Sequence, residues 1–340
     1  MIDLKYIIFL FLINGIFFIK NKSISQYFQL FDHPDFLRKI HKKKISCIGG
    51  FYIITNLGLL ISYNFYTSEN LIPFEYFQDE LTNLFFFSIS FLAIFFIGVY
   101  DDKYEIKPEK KLILFGVIIL FLTLADRDLA IQTLRFSFTD SIYDISDYSK
   151  FFTIFCIIVF MNAFNMYDGS NFQVSSITMV IMSYLFLMSK SFDYLSITII
   201  LSLIFFSILN LQNKLFLGDN GSLILSFLIS YSVIKFYGQK SIVYADEVCL
   251  LLLLPVIDLL RLFITRIYSG KSPFLSDKNH LHHLFLKRFN YSQTIILLFL
   301  LYSLPIFFAV ITKKYFLFIM LQIFVYLLTI TSLNKLKSSN

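Results

Sequence analysis

Four stretches of this 340-residue chain carry acids, amides and histidines at spacings that could do chemistry. In the first, the adjacent acids Asp101 and Asp102 precede several lysines, among them Lys111. Two neighbouring carboxylates could position a divalent cation or accept a proton. The alternative is a solvated turn whose charges stop a membrane helix.

The second stretch combines amides with an acid and a glycine. Asn162 and Asn165 are three residues apart, which places them on one face of a helix. Asp168 and Gly169 then break that helix where a ligand could approach the backbone, and Asn171 follows. Amides that hydrogen bond to one another between helices would explain these residues equally well.

The third stretch places Asp219 between Gly218 and Gly221 at the predicted start of a helix. An acid there can ligate a metal while free backbone N–H groups face an anion. The alternative is that Asp219 is only the N-cap of the helix.

The fourth stretch is a basic loop with three of the five histidines, His280, His282 and His283. Zinc prefers Cys, His and carboxylate ligands, but no Cys or spare Glu is near, and Arg266 and Lys278 would repel a cation. The pattern therefore favours a cluster of hydrogen-bond donors for a diphosphate over a zinc site.

Two further polar groups favour structural or surface roles. Asp258 and Arg261 are one helical turn apart inside an apolar run, so we expect them to pair within the membrane. Arg38, Lys39 and His41 precede a Gly-Gly helix start and suit either anion binding or attraction to the membrane surface, which we favour.

The elements that position these residues must be membrane helices. The chain is 57% hydrophobic and 15% charged, with a mean hydropathy of +0.72, which excludes a soluble globular protein. Apolar runs of about the length that crosses a bilayer predict an all-α polytopic helix bundle of about 11 transmembrane helices. The predicted runs are 4–20, 46–66, 82–100, 112–126, 151–167, 173–189, 194–211, 222–237, 247–267, 293–311 and 315–333.

Charge predicts how this bundle lies in the membrane. Most of the 29 Lys and Arg residues fall on one side if the N-terminus is outside and the C-terminus is cytoplasmic. In that orientation all four stretches lie on the cytoplasmic side. The net charge of +6 then reflects positively charged inner loops, so nucleic acid is not an expected partner. The sequence contains no internal repeat, which gives no support to a transporter built from tandem halves.

The order of the motifs resembles a known family. Asp-Asp, Asn-Ala-x-Asn-x-x-Asp-Gly, Phe-Leu-Gly-Asp-x-Gly-Ser and His-x-His-His follow one another as in the polyprenyl-phosphate N-acetylhexosaminyl-1-phosphate transferases, which form glycosyltransferase family 4. The resemblance runs from Asp32 to Arg288. The histidine loop is more similar to the branch that initiates O-antigen, enterobacterial common antigen or teichoic-acid linkage than to the peptidoglycan-precursor branch.

The resemblance implies a reaction at the cytoplasmic face of the bacterial inner membrane. A UDP-linked N-acetylated amino-sugar 1-phosphate is transferred to undecaprenyl phosphate, which releases UMP and leaves a lipid diphosphate-sugar. The resemblance implies Mg²⁺ as the cofactor, with Mn²⁺ as an alternative. It also implies one transmembrane transferase domain over 1–340, with catalytic loops at 21–45, 101–111, 167–172, 212–221 and 268–292. The oligomeric state is open, and a homodimer is one option.

The same resemblance assigns roles to residues, each by its motif. Asp101, Asp102 and Asp219 would be catalytic, with Asp101 and Asp102 handling the acceptor phosphate and Asp101 the proton acceptor. Asp219 and Asn165 would hold the metal. The remaining residues would bind substrate, at the phosphate (Lys111), the uridine end (Asp168, Gly169, Asn171) and the diphosphate and sugar (His280, His282, His283).

Two departures from the family pattern keep a non-catalytic alternative open. Many bacterial members have Asp-Gly where this chain has Asn171-Phe172, and the Pro-x-Pro-Arg of the family is here Lys44-Ile-Ser46-Cys47. A degenerate member that only binds nucleotide, or a lipid-linked-sugar transporter, is the competing hypothesis. The sequence does not identify the sugar.

Overall fold

The computed structural model describes residues 3–34, 43–67, 80–188, 193–274 and 277–335. Arg38, Lys39 and His41 lie outside them. The described part consists of twelve α-helices and two short antiparallel hairpins. In chain order these are α1 (Leu4–Phe28), β1 (Phe31–Asp32), β2 (Ile45–Ser46), α2 (Gly49–Thr67), α3 (Glu80–Tyr104), α4 (Pro108–Ala125), β3 (Thr133–Arg135), β4 (Ile142–Asp144), α5 (Ser149–Tyr167), α6 (Gln173–Met188), α7 (Asp193–Leu211), α8 (Gly218–Gly238), α9 (Ala245–Tyr268), α10 (Leu281–Leu286), α11 (Tyr291–Thr312) and α12 (Tyr315–Lys335).

The predicted all-α polytopic membrane fold is confirmed. Each of the eleven apolar runs coincides with a helix, because a chain in hydrocarbon must satisfy its backbone N–H and C=O groups internally. Among the described helices, α1, α3, α5, α7, α8, α9, α11 and α12 are long and apolar enough to cross a membrane. The total of about eleven spans and their orientation stay predictions.

Four predicted boundaries were wrong by four residues or more, all at polar residues. Helix α3 continues to Tyr104 rather than ending at 100, and α4 begins at Pro108 rather than 112. The first run was predicted to end at 20 and to pass into a loop, but α1 continues to Phe28. Its last turns keep Asn21 and Ser25 buried, and the Ser25 hydroxyl donates to the Asn21 carbonyl at 2.8 Å. The eighth helix begins at Gly218 rather than 222, since its first turn is polar and falls outside the apolar run.

Helix α8 lies at the centre of the bundle, and 89% of its spanning window is buried. It packs against α2, α3, α5 and α6. Small residues allow helices to approach closely in a membrane, and Gly98 on α3 is such a position. A Cβ at Gly98 would overlap the backbone of Asn220 on α8. The first turn of α8 is therefore held directly against the last turns of α3.

Several polar groups buried between the helices are paired with one another. Asn14 of α1 and Asn56 of α2 exchange amide hydrogen bonds of 2.7 and 3.0 Å. Near the other end of α8, Lys235 forms an ion pair with Asp126 at 2.6 Å, and the hydroxyl of Tyr231 donates to the same carboxylate at 3.0 Å. Such pairing is what hydrocarbon demands of buried polar side chains.

Candidate active site

The helix ends at one side of the bundle enclose a cavity of about 1580 Å³. All four polar stretches contribute to it, although the first and the last lie more than 100 residues apart in sequence. Of the predicted site residues, the cavity is lined by Asp101, Asp102, Asp168, Gly169, Asn171, Asp219, His280, His282 and His283. The structure thus brings nine of the eleven predicted residues to one space, and Lys111 and Asn165 bond to Asp219 at its wall.

Asp102 caps α8 from a neighbouring helix. Its Oδ1 accepts the backbone N–H of Asp219 at 2.8 Å, and its Oδ2 accepts the backbone N–H of Asn220 at 3.0 Å. Two sequence-based interpretations are therefore wrong: Asp219 is not the N-cap of α8, and these two N–H groups are not free to face an anion. Two of the four backbone N–H groups that lack a partner within the first turn of α8 are thus satisfied by α3.

The Asp219 carboxylate is held by two donors and remains open to the cavity. Asn165 Nδ2 donates to Oδ1 at 2.7 Å, and Lys111 Nζ lies 3.3 Å from Oδ2. The Asn165 amide nitrogen also donates to the Ser222 hydroxyl at 2.8 Å, so its carbonyl oxygen is the atom left for a further ligand. The Asp219 side chain is 36% exposed, whereas that of Asp101 is 4% exposed.

Asp101 lies deeper than Asp219 and forms an ion pair with the same lysine. Its carboxylate is 4% exposed, accepts the backbone N–H of Ile106 at 2.6 Å and contacts Lys111 Nζ. Lys111 therefore bridges two carboxylates. This one ammonium group reduces the negative charge that an incoming phosphate would meet.

Asp168 directly follows α5 at the polar wall of the cavity. Burial, with a further contribution from the nearby charge of Asp219, raises the pKa of Asp168 to about 7. Near neutral pH this carboxyl is thus divided between its acid and its anion, unlike an ordinary aspartate.

Asn171 fits its position as an amide. Its Nδ2 donates to the Asn210 carbonyl at 2.6 Å and to Asn213 Oδ1 at 2.8 Å, and it thereby ties the loop after α5 to the end of α7. The next residue, Phe172, has a φ of 67°. The glycine that many family members carry here adopts that conformation freely, whereas a side chain costs about 1 kcal/mol.

His282 packs directly against Gly169. A Cβ at Gly169 would overlap the His282 ring, so only glycine allows the contact. His282 is buried, and neither of its ring nitrogens has a partner among the described residues. Burial lowers the pKa of His282 well below its usual value and that of His283 to about 4. Both imidazoles are therefore neutral at pH 7 in the free protein.

His280 is held by the pair that the sequence predicted. Asp258 and Arg261 form an ion pair at 2.8 Å, and the other Asp258 oxygen lies 3.2 Å from His280 Nδ1. Arg266, which precedes the same loop, is buried, and it donates to Asp277 at 3.0 Å and to the Pro273 carbonyl at 2.6 Å. Its charge holds the loop together.

Comparison with known proteins finds a family model that matches the middle of the chain. The model of glycosyl transferase family 4 matches residues 84–237, which include Asp101, Asn165 and Asp219. This part of the chain is therefore similar to glycosyl transferase family 4.

The chain is also similar to curated transferases over most of its length. Three are named undecaprenyl-phosphate alpha-N-acetylglucosaminyl 1-phosphate transferase. The protein from Salmonella typhi is 24% identical over 84% of this chain and 76% of its own length. The one from Escherichia coli (strain K12) is 23% identical over 83% and 76%. The one from Thermotoga maritima is 29% identical over 79% and 77%.

One residue at the centre of this site was missed from the sequence. Asn220 donates to the Cys47 carbonyl at 2.6 Å and to Asp102, and its Oδ1 accepts the Gly50 N–H at 2.8 Å. It joins α8, α3 and the start of α2. Its place between Asp219 and Gly221 was the available signal.

Few side-chain atoms around the cavity remain available to bind a metal ion. The described residues contain no group of three or more His, Cys, Asp or Glu arranged to hold a metal ion. His280 is engaged with Asp258, and Asp102 with backbone N–H groups. The Asp219 carboxylate remains as a hard oxygen donor at the cavity wall, and Asn165 contacts it through its amide nitrogen.

Proposed function

We propose that this protein transfers an N-acetylated amino-sugar 1-phosphate from a UDP-sugar to undecaprenyl phosphate. The products are UMP and a lipid diphosphate-sugar that initiates a cell-surface polysaccharide. The observation that carries the proposal is the Asp219 carboxylate, oriented by Asn165 and Lys111 and open to a large cavity between membrane-helix ends. The names of the relatives support UDP-N-acetylglucosamine as the first donor to test.

Mg²⁺, with Mn²⁺ as an alternative, fits the donors at this wall. Mg²⁺ takes oxygen ligands and is commonly held by one or two carboxylates, with water and substrate phosphate oxygens completing its shell. Asp219 and Asn165 supply a carboxylate and an amide oxygen, so they would hold it. When bound, the ion would neutralise charge on the transferring phosphoryl group.

The residues of the chain would divide the remaining work. Lys111 lies between two acids and offers a positive charge to a phosphate. Asp101 beside it is the candidate acceptor for a proton of the lipid phosphate. Asp102 fixes the position of Asp219 through the backbone. Asp168, Gly169 and Asn171 would hold the uridine end, and the histidine loop would cover the diphosphate and sugar.

The shape of the site suits one soluble and one membrane-bound substrate. The cavity is lined by the apolar Phe18 and Ile19 of α1 as well as by the acids and histidines. A lipid phosphate could therefore meet a nucleotide sugar without leaving the bilayer. All the proposed site residues come from one chain, and a homodimer stays a prediction.

The proposed location is the bacterial inner membrane with the site in the cytoplasm. The charge distribution supports it, since basic residues concentrate on the side of the cavity. A C-terminal fusion to a reporter that is active only in the cytoplasm should be active. Activity of a periplasm-specific reporter at the same junction would contradict this orientation.

The direct test is release of UMP by the purified protein. It should occur with undecaprenyl phosphate, Mg²⁺ and one member of a panel containing UDP-N-acetylglucosamine, UDP-N-acetylgalactosamine and a UDP-linked N-acetylated 6-deoxyhexosamine. Asp219→Asn should lose most turnover, whereas Asp140→Asn, at an exposed acid between β3 and β4, should retain it. Mass spectrometry of the lipid product then identifies the sugar.

Two results would contradict the proposal. One is no UMP release with any donor while the Escherichia coli relative is active in the same assay, which would favour a degenerate, nucleotide-binding member. The other is near wild-type turnover in Asp219→Asn, which would remove this acid from the metal site.

A further inference from the structure

Three side chains from two membrane helices form a closed polar cluster beside the histidine loop. Asp258 of α9 is 1% exposed. Its Oδ1 accepts from Arg261 Nη2 at 2.8 Å and from the hydroxyl of Tyr326 of α12 at 2.7 Å. Arg261 Nε in turn donates to the Tyr326 oxygen at 2.6 Å. Each member thus contacts the other two.

The same cluster contacts three successive residues of the loop. The Asp258 Oδ2 atom lies 3.2 Å from His280 Nδ1 and accepts the backbone N–H of Leu281 at 3.4 Å. Arg261 Nη2 also donates to the Asn279 carbonyl at 2.7 Å. The loop is therefore fastened to two long helices at the point where it enters the cavity.

These contacts fix how His280 faces the cavity. A carboxylate can only accept, so Asp258 requires that His280 Nδ1 carry a proton. In the neutral ring Nε2 is then the unprotonated nitrogen, and in the cavity that His280 lines it can accept a hydrogen bond from a hydroxyl of the sugar but cannot donate one to the diphosphate. The ring also stacks on His282 with centroids 5.8 Å apart, which further restricts its orientation.

Stability alone does not account for this arrangement. A buried ion pair is often matched in stability by apolar side chains of similar volume, so the pair itself is weak evidence for a structural purpose. Here both partners use their remaining hydrogen-bonding capacity on the loop rather than within the helices. We propose that Asp258, Arg261 and Tyr326 are positioning residues, which hold His280 in one tautomer and orientation for the diphosphate-sugar donor. This inference rests on the proposed function for the identity of the donor.

The first test separates the two substrates. Asp258→Asn preserves size and still accepts from Arg261 and Tyr326, but its amide N–H would face His280 Nδ1. We expect the KM for the UDP-sugar to rise about tenfold, as for loss of a hydrogen bond to a charged group, while the KM for undecaprenyl phosphate changes less than about twofold. Tyr326→Phe removes only one donor and should raise the donor KM about threefold.

A matched control exists elsewhere in the bundle. Tyr231→Phe also deletes a buried tyrosine hydroxyl that donates to an aspartate, Asp126, but at the opposite end of α8 from Asp219. It should lower the thermal unfolding midpoint about as much as Tyr326→Phe and leave the donor KM unchanged. Equal effects of the two tyrosine variants on donor KM would overturn the positioning role.

A double-mutant cycle shows whether the cluster acts through His280. If it does, Asp258→Asn should raise the KM for the UDP-sugar about tenfold in the wild-type background. The same substitution should raise that KM less than about twofold when His280→Ala is already present. Additive losses would overturn the inference.

The tautomer of His280 can be measured without any enzymatic activity, so this test does not depend on the proposed function. Nitrogen NMR of protein labelled with ¹⁵N-histidine distinguishes the two neutral tautomers. His280, assigned by His280→Ala, should be protonated at Nδ1 in the wild type and at Nε2 in Asp258→Asn. If the tautomer switches but no UMP is released, only the proposed reaction is contradicted. If the tautomer is the same in the wild type and in Asp258→Asn, the positioning role is overturned.

Discussion

The Asp102 carboxylate on α3 accepts the backbone N–H of Asp219 on α8 at 2.8 Å. The last turn of one membrane helix is therefore the cap of another, and the capped residue is the acid that opens into the cavity. Because Asn220 bonds to the same carboxylate, the direction of the α8 axis is fixed at its first turn. Any shift of α3 against α8 would move the Asp219 side chain.

Replacing Asp102 should therefore affect both stability and turnover. Asp102→Ala leaves two N–H groups of α8 without acceptors, and we expect a loss of about 1–2 kcal/mol in the free energy of unfolding. Turnover should also fall, because Asp219 is no longer held in place. Thermal unfolding in detergent and UMP release measure the two effects. Asp140→Ala, at an exposed acid, is the control, and an Asp102→Ala midpoint equal to that of the control would refute the capping role.

Sequence predicted the helices well because hydrocarbon leaves few alternatives. An apolar run of about 20 residues can satisfy its backbone only as a helix, so all eleven runs were found. It failed where polar residues continue a helix. Asn21 and Ser25 interrupt the apolar run, yet they are buried within α1 because they face the cavity rather than lipid.

Sequence identified the site residues but not the task of each. Motif order located Asp102 and Asn171, whereas their roles depend on partners 117 and 39 residues away. The tether of His280 to Tyr326 through Asp258 had no local signal at all, since α12 carries no motif. Spacing along one helix reports neighbours on that helix, and contacts between helices need the fold.

Replacing Asn171 by the aspartate that many members of the similar family carry should lower the stability of the protein. In Asn171→Asp the carboxylate would face the Asn210 backbone carbonyl, which cannot rotate to donate as the Asn213 amide can. We expect a loss of about 1–3 kcal/mol and no gain in turnover, because a buried acceptor is left without a donor. Differential scanning fluorimetry measures the change. Asn290→Asp is the matched control, since an N-cap functions equally well with either residue.

The histidine loop should make stability depend on pH. The pKa of His283 is lowered from 6.5 to about 4 and that of His282 is lowered further, so the unfolded chain binds more protons than the folded one between these values. Stability contributed by these two groups is therefore present above about pH 6.5 and lost as the pH falls toward 4.

Asp168 acts in the opposite direction, which provides an internal control. Its pKa is raised from 3.8 to about 7, so its contribution is present at low pH and lost as the pH rises through about 7. In unfolding midpoints measured from pH 5 to 7.5, Asp168→Asn should steepen the loss on acidification. His282→Gln combined with His283→Gln should weaken or reverse it. Unchanged slopes in both variants would show that these groups titrate normally in the folded protein.

The contact between Gly169 and His282 predicts the sharpest effect of a single methyl group. In Gly169→Ala the new Cβ would overlap the His282 ring and push the loop away from the uridine end of the cavity. Displacement of a group in an active site by about 1 Å can lower catalytic efficiency up to about a hundredfold, so we expect the KM for the UDP-sugar to rise at least tenfold. Gly58→Ala adds the same methyl group to α2, where no atom lies within 4 Å, and should be neutral or slightly stabilising because alanine favours helix. If both alanine variants have the same donor KM, His282 does not depend on Gly169 for its place in the site.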